Sequence, residues 1–167
     1  MNAPDSVTDR PRTAAHPADL MDALHTTVRP LTGVPNPVRY ARQTVLDQLA
    51  EHIDDPGLLE DLAVMVSEAT TNAAIHAPGP CELRIISHGG LPLVIEIADT
   101  GDQLDVIAAR LAAGAVPDQL GALQDGGRGL GIIARLSGGR CAVQPTRLYS
   151  AAADGKSVWF AIPGRAP

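Results

Sequence analysis

Glu68, Asn72 and His76 recur at every fourth residue within SEATTNAAIHA, residues 67–77. A carboxylate, a carboxamide and an imidazole bring proton-accepting and hydrogen-bonding capacity to one line along a helix. At a helical pitch each falls about 40° from the next, at the border of the apolar face formed by Leu62, Val66, Ala69 and Ala73. The line belongs neither to the deep core nor to open solvent, and a helix edge in that position can roof a cleft. One such residue alone would read as a solvated polar edge. Three in register, followed by two further motifs, argue for a site.

The second motif is IEIADTGD, residues 95–102, in which an alternating apolar strand ends in Asp99 and Gly101 follows two positions later. An acceptor at a strand end can bind an exocyclic amine, and the glycine lets backbone pass close to a flat ring. D-T-G is also good turn chemistry, so this motif is weak by itself. The third is DGGRGLGII, residues 125–133, where Gly126, Gly127, Gly129 and Gly131 surround Arg128. Glycines at a helix start leave amides open to phosphate oxygens, and the guanidinium adds a bidentate donor. Two look-alikes fail on context. GLGIIA fits a dinucleotide pattern, but a polar loop precedes it where a strand is needed. GKS at 155–157 suggests a P-loop, yet Ser150 stands where that motif needs glycine, and VWFAIP, a strand, follows in place of a helix.

The elements that must position these residues follow from periodicity and breakers. Residues 1–28 mix Pro, Asp, Arg, Ser and Thr and read as a flexible N-terminal arm, with a short helix near ADLMDALH. RPLTGVPNP is read as a short strand or an extended lead-in, because its prolines forbid a helix. Val38 to His52 has helical spacing; DDPG breaks it, and Leu58 to Ala77 forms a second helix. CELRIIS and PLVIEIAD form a hairpin around HGGL. Leu104 to Ala113 is a helix, GAVPDQLGALQDGG a mobile connection, and RGLGIIARLSG a helix entered through glycines. RCAVQPT and SVWFAIP are strands, with RLYSAAA pairing between them. This order predicts a two-layer α/β sandwich, its sheet mixed but mostly antiparallel, with the helices on one face. Residues 29–167 are expected to form the one folded domain.

Composition bounds the function. The 167 residues are 45% hydrophobic and 19% charged, ordinary for a soluble globular chain, but only 2% aromatic, so the core is aliphatic. A net charge of −6 argues against direct nucleic-acid or anionic-membrane binding. Of thirteen basic residues, Lys156 is the single lysine. The N-terminus lacks a signal pattern and no stretch is apolar enough to span a membrane, so a cytoplasmic protein is expected. Cys81 and Cys141 lack metal-ligand spacing and read as buried thiols.

Together, E-x-x-x-N-A-x-x-H-A, D-x-G and G-R-G-L-G resemble the GHKL ATPases, whose nucleotide site is the Bergerat fold. Order and spacing are similar to the short, single-domain branch of anti-sigma factor serine/threonine kinases, over about residues 30–163. The resemblance implies ATP and Mg²⁺ as ligands, with Asn72 ligating the ion and Glu68 as general base. It implies Asp99 as the adenine-reading acid and Gly101 as the glycine the ring passes. Gly127, Arg128, Gly129, Leu130 and Gly131 correspond to the phosphate-side helix, Ser157 to a hydroxyl near adenine, and His76 continues the helix edge. Where many relatives carry a second glycine after D-x-G, this chain has Asp102. The implied partners are a sigma factor and an anti-anti-sigma antagonist protein, with a homodimer left open. A non-catalytic ATP-dependent binding module is the rival. A sensor histidine kinase core is the third reading, and His16, His25, His52 and His88 all lack a phosphoacceptor motif.

Overall fold

Two helix starts are set by side chains that accept otherwise orphaned backbone N–H groups. Asn36 caps the helix Pro37–Leu49 (α1) by accepting from the Arg39 N–H at 3.0 Å, and Asp55 caps Pro56–His76 (α2) by accepting from the Gly57 N–H at 2.9 Å. In both, proline occupies the first helical position, where its missing N–H costs nothing. The computed structural model describes residues 24–77, 79–114 and 128–165. Within them the order is Leu24–Pro30 (β1), α1, α2, Cys81–His88 (β2), Leu91–Asp99 (β3), Leu104–Gly114 (α3), Arg128–Leu136 (α4), Cys141–Arg147 (β4) and Asp154–Ala161 (β5).

The strands form one sheet in the order β1-β2-β3-β5-β4, and every neighbouring pair is antiparallel. The expected parallel component is absent from the described strands. Gly89 and Gly90, both at positive φ, close the β2–β3 hairpin with the backbone twist that a two-residue turn needs. Leu83, Ile85, Ile95, Ile97, Val158 and Phe160 project from one face of the sheet into the core. Val45 and Leu49 from α1, Leu62, Met65 and Ala69 from α2, and Leu130 and Ile133 from α4 meet them there. The two-layer α/β sandwich stands, with the helices on that face. Gly114 and Gly131 bring α3 and α4 into close approach: a Cβ on Gly114 would lie 2.2 Å from the Gly131 Cα.

The other face of the sheet carries a buried ionic cluster. Arg84, 4% exposed, donates to Glu82 Oε1 at 2.7 Å, to Glu96 Oε2 at 3.3 Å, to Thr146 Oγ1 at 2.9 Å and to the Arg147 carbonyl at 2.6 Å. The turn after β4 folds over this cluster: the Tyr149 and Ser150 N–H groups donate to Glu82, and the Tyr149 ring lies 4.4 Å from the guanidinium. Burial alone would raise the Glu82 carboxyl, but the hydrogen bonds from Ser150, Tyr149 and Arg84 outweigh it and hold it low. Glu96 is raised, because burial is only partly offset by the Arg84 charge.

Three local expectations are corrected. Leu24 to Val28, counted with the N-terminal arm, belong to β1, which pairs with β2 from Leu24↔His88 to Pro30↔Glu82. The last two residues of the expected ADLMDALH helix are therefore strand, and the others lie outside the described residues. Of RLYSAAA only Arg147 pairs, as the end of β4 opposite Asp154; Leu148 to Ala153 form the turn joining β4 and β5, closed by the Leu148 N–H to the Ala153 carbonyl at 2.8 Å. Of the expected connection GAVPDQLGALQDGG, all but Gly114 lies outside the described residues.

Candidate functional site

Register brings the site together at one end of the sheet. Asp99 closes β3, and the antiparallel pairings set Cys81 on one side of it and Lys156 on the other. Asp99 is 2% exposed, and its two carboxylate oxygens accept from Lys156 Nζ at 2.5 and 2.6 Å. The Gly101 N–H donates to Asp99 Oδ1 at 2.8 Å. Glycine is needed at 155, because a Cβ there would stand 2.1 Å from the Asp99 carbonyl oxygen. At Gly101 a Cβ would come 2.9 Å from Asp99 Oδ1 and 3.1 Å from Lys156 Nζ, crowding the pair.

A cleft opens above this pair. Asn72, Ala73 and His76 of α2 form one wall, Ile107 and Arg110 of α3 and Leu130 of α4 another, and Asp99, Gly101, Lys156 and Val158 the floor. Its free volume is ≈ 20 Å³, room for about one water, so a ligand enters only as side chains move apart. The lining suits a flat ring: Ala73, Ile107, Leu130 and Val158 are apolar, while the Asp99–Lys156 pair offers hydrogen bonds at one end.

The anticipated residues divide as follows. Asn72, His76, Asp99, Gly101 and Leu130 share the cleft. Glu68 lies one turn before Asn72, half-buried, against the first turn of α4: a Cβ on Gly129 would be 2.3 Å from Glu68 Oε2. Arg128, exposed, opens α4, while Gly131 is buried where α3 and α4 touch and so has a packing role of its own. Gly127 lies outside the described residues. Ser157 does not face the cleft. Lys156 and Val158 line it, so the intervening Ser157 points to the opposite face beside Ala98 and Gln144, fully buried and with its Oγ unpartnered.

Lys156 is the site residue that sequence reasoning missed. Its position opposite Asp99 follows from the β3–β5 register, which one-dimensional spacing does not contain. Cys81, the third member of that cross-strand row, is no nucleophile: burial, reinforced by the Asp99 charge, pushes its thiol up to about 12. The thiol of Cys141 is likewise raised by burial. Among the described residues no cluster of three or more His, Cys, Asp or Glu could hold a metal by itself. An ion in this cleft would take most of its shell from phosphate and water, the manner in which Mg²⁺ is commonly held. Asn72 lines the cleft and its Nδ2 is buried without a hydrogen-bond partner, so no bond through that nitrogen prevents the side chain from turning its oxygen toward an ion.

The fold and the cleft define a two-layer α/β domain with a nucleotide-type pocket between sheet end and helices. The model of the histidine kinase-like ATPase domain matches residues 32–143, and the chain belongs to this family. It is thus an ATP-binding domain of the GHKL type. Among solved structures it is similar to a chain in the crystal structure of the SiaB–SiaC complex from Pseudomonas aeruginosa, with 16% identity and a TM-score of 0.61. That likeness covers 87% of this chain and 94% of the other, and it is one of fold. No curated protein matches the chain significantly. Among the described residues no helix is long and apolar enough to cross a membrane.

Proposed function

We propose that this chain is an ATP-dependent regulatory serine/threonine kinase of the anti-sigma type, which sequesters a sigma factor and phosphorylates an antagonist protein in the cytoplasm. One observation carries the proposal: Glu68 and Asn72 stand one turn apart on α2, with the Glu68 carboxylate against the N-terminal turn of α4 at Gly129. In this reading the proton acceptor, the neutral oxygen ligand and the first-turn amides of α4 serve one phosphate group. Membership of an ATPase family and likeness to a chain crystallised with a protein partner support it.

In this reading the apolar walls would hold adenine, with Asp99 at its edge, and Asn72 would hold Mg²⁺ through its amide oxygen. The ion would offset charge on the phosphates. Glu68 accepts the proton of the attacking hydroxyl as its oxygen forms a bond to the γ-phosphorus and the bond to ADP breaks. Arg128 and the amides around Gly129 face the phosphate oxygens. A non-catalytic ATP-dependent binding module stays as the alternative: it would use the same cleft, and a carboxylate beside Gly129 does not by itself make Glu68 a working base.

The test is Glu68→Gln, assayed with γ-labelled ATP, Mg²⁺ and candidate antagonist proteins. Transfer should fall by about 10²–10⁴-fold, the contribution of a general base, while ATP and partner affinities stay unchanged. A variant as fast as the parent removes Glu68 from the chemistry. A parent that transfers no phosphate to any candidate favours the binding module.

A further inference from the structure

Two features at the floor of the cleft involve the same ammonium. Asp99 accepts from Lys156 Nζ through both carboxylate oxygens, at 2.5 and 2.6 Å, and Oδ1 accepts from the Gly101 N–H as well. Hydrogen bonds between two ionised groups are about twice as strong as neutral ones. The second feature is one of room. On the side of Gly101 where a Cβ would stand, Asp99 Oδ1 lies at 2.9 Å and Lys156 Nζ at 3.1 Å. The glycine that would let a flat ring pass is therefore covered on that side by the ammonium. The free volume of the cleft, ≈ 20 Å³, is far below the about 300–1,000 Å³ of a small-molecule site. Ala69, Ala73, Ile107, Leu130 and Val158 are anchored in the core, so room for a ring comes from the longer polar side chains. Of those, Lys156 is the one that lies on both Asp99 and Gly101.

We propose that Lys156 is an internal competitor for the base: in the free protein it holds the carboxylate of Asp99, and its ammonium must leave before a purine amine can take its place. This rests on the reading of the cleft as an ATP site. On exchange, Asp99 gives up the ammonium donor and gains the exocyclic N–H, while the Gly101 N–H stays on Oδ1. The four-carbon stem lets the departing ammonium reach water, where it is strongly hydrated. The exchange is uphill in itself, because a charge-assisted bond is traded for a weaker one. Asp99 and Lys156 are 2% and 4% exposed, so their separation leaves a buried carboxylate less well served than before. ATP affinity is reduced by the fraction of molecules in which the pair is open. Lys156 thus sets how tightly the nucleotide is held, without having to touch it.

Lys156 is the single lysine of the chain, so lysine isotopically labelled at its ε-nitrogen gives one side-chain ammonium signal in magnetic resonance. Buried and hydrogen-bonded, that ammonium should exchange its protons slowly with solvent in the free protein. At saturating ATP with Mg²⁺ the exchange should become at least about tenfold faster, as the ammonium enters water. Exchange as slow at saturation as in the free protein overturns the proposal, and this arm needs no variant to fold. Calorimetry supplies the second arm. Lys156→Thr removes the competitor and opens the space over Gly101, so ATP affinity should rise at least about tenfold, the scale that separates a charge-assisted from a neutral hydrogen bond. Lys156→Gln can still donate to Asp99 and should fall between the two. A folded Lys156→Thr that binds ATP no more tightly than the parent, or more weakly as the loss of a nucleotide-holding cation would make it, overturns the proposal too. If neither parent nor Lys156→Thr binds ATP, the ATP-site reading itself fails and the proposal falls with it.

Discussion

Replacing Arg84 by methionine would leave the stem in place and strip the outer-face cluster of its only cation among the described contacts. Four hydrogen bonds disappear: to Glu82, Glu96, Thr146 Oγ1 and the Arg147 carbonyl. Glu82 keeps the Tyr149 and Ser150 N–H groups, and Glu96 keeps a Gln144 contact at 3.4 Å, so one carboxylate remains better served than the other. Breaking one partner out of a buried ionic group costs about 3–5 kcal/mol, and for a chain this size each kcal/mol moves Tm by about 2–4 °C, so a fall of roughly 6–20 °C is expected. The sign of the pH dependence is a second signature. In the variant Glu96 loses the Arg84 charge that partly offsets its burial and rises further above its unfolded value, so the folded state binds more protons there and that part of the penalty is largest well above the carboxylate range, while Glu82 keeps the Ser150 and Tyr149 hydrogen bonds that hold it low. It shrinks as protons return on acidification, Glu96 first because burial already raises it in the parent. Urea unfolding of parent and variant at several pH values from neutral down to the carboxylate range checks this. A stability loss below about 1 kcal/mol at neutral pH, or one that grows on acidification, would refute the account of a cluster held together by Arg84.

Gly114→Ala should destabilise the protein by about 1–2 kcal/mol in urea titration, since overpacking against the Gly131 backbone outweighs the helix propensity gained by losing a glycine. Gly129→Ala should fold normally, because the atom it meets is the mobile end of Glu68, but it displaces that carboxylate. Phosphate transfer should then drop towards the Glu68→Gln level with little change in thermal stability, and transfer at the parent rate would show that Glu68 acts from elsewhere or not at all.

Where local chemistry alone decides structure, the sequence was sufficient. The runs from Val38 and from Leu58 announce their helices through periodicity, although Pro37 and Pro56, read as breakers, sit in the first turns behind the Asn36 and Asp55 caps, and His88-Gly89-Gly90-Leu91 announces its hairpin through backbone freedom. The helix-edge spacing of Glu68, Asn72 and His76 needs only the helical pitch, so the α2 side of the site, and with it the family, was legible. What depends on pairing distant segments was not. β1 begins at Leu24 because HTTV finds the edge of β2 more than fifty residues on, and its own pattern is too weak to say so. GKSV could present Lys156 or Ser157 to the cleft. Neighbouring strand residues point to opposite faces, and only the pairing of Asp99 with Lys156 makes that choice. Glu82, Arg84 and Glu96 alternate with apolar residues as a solvated sheet face would. They are buried because the turn from Leu148 to Ala153 closes over them, a contact across more than sixty residues that no local pattern encodes.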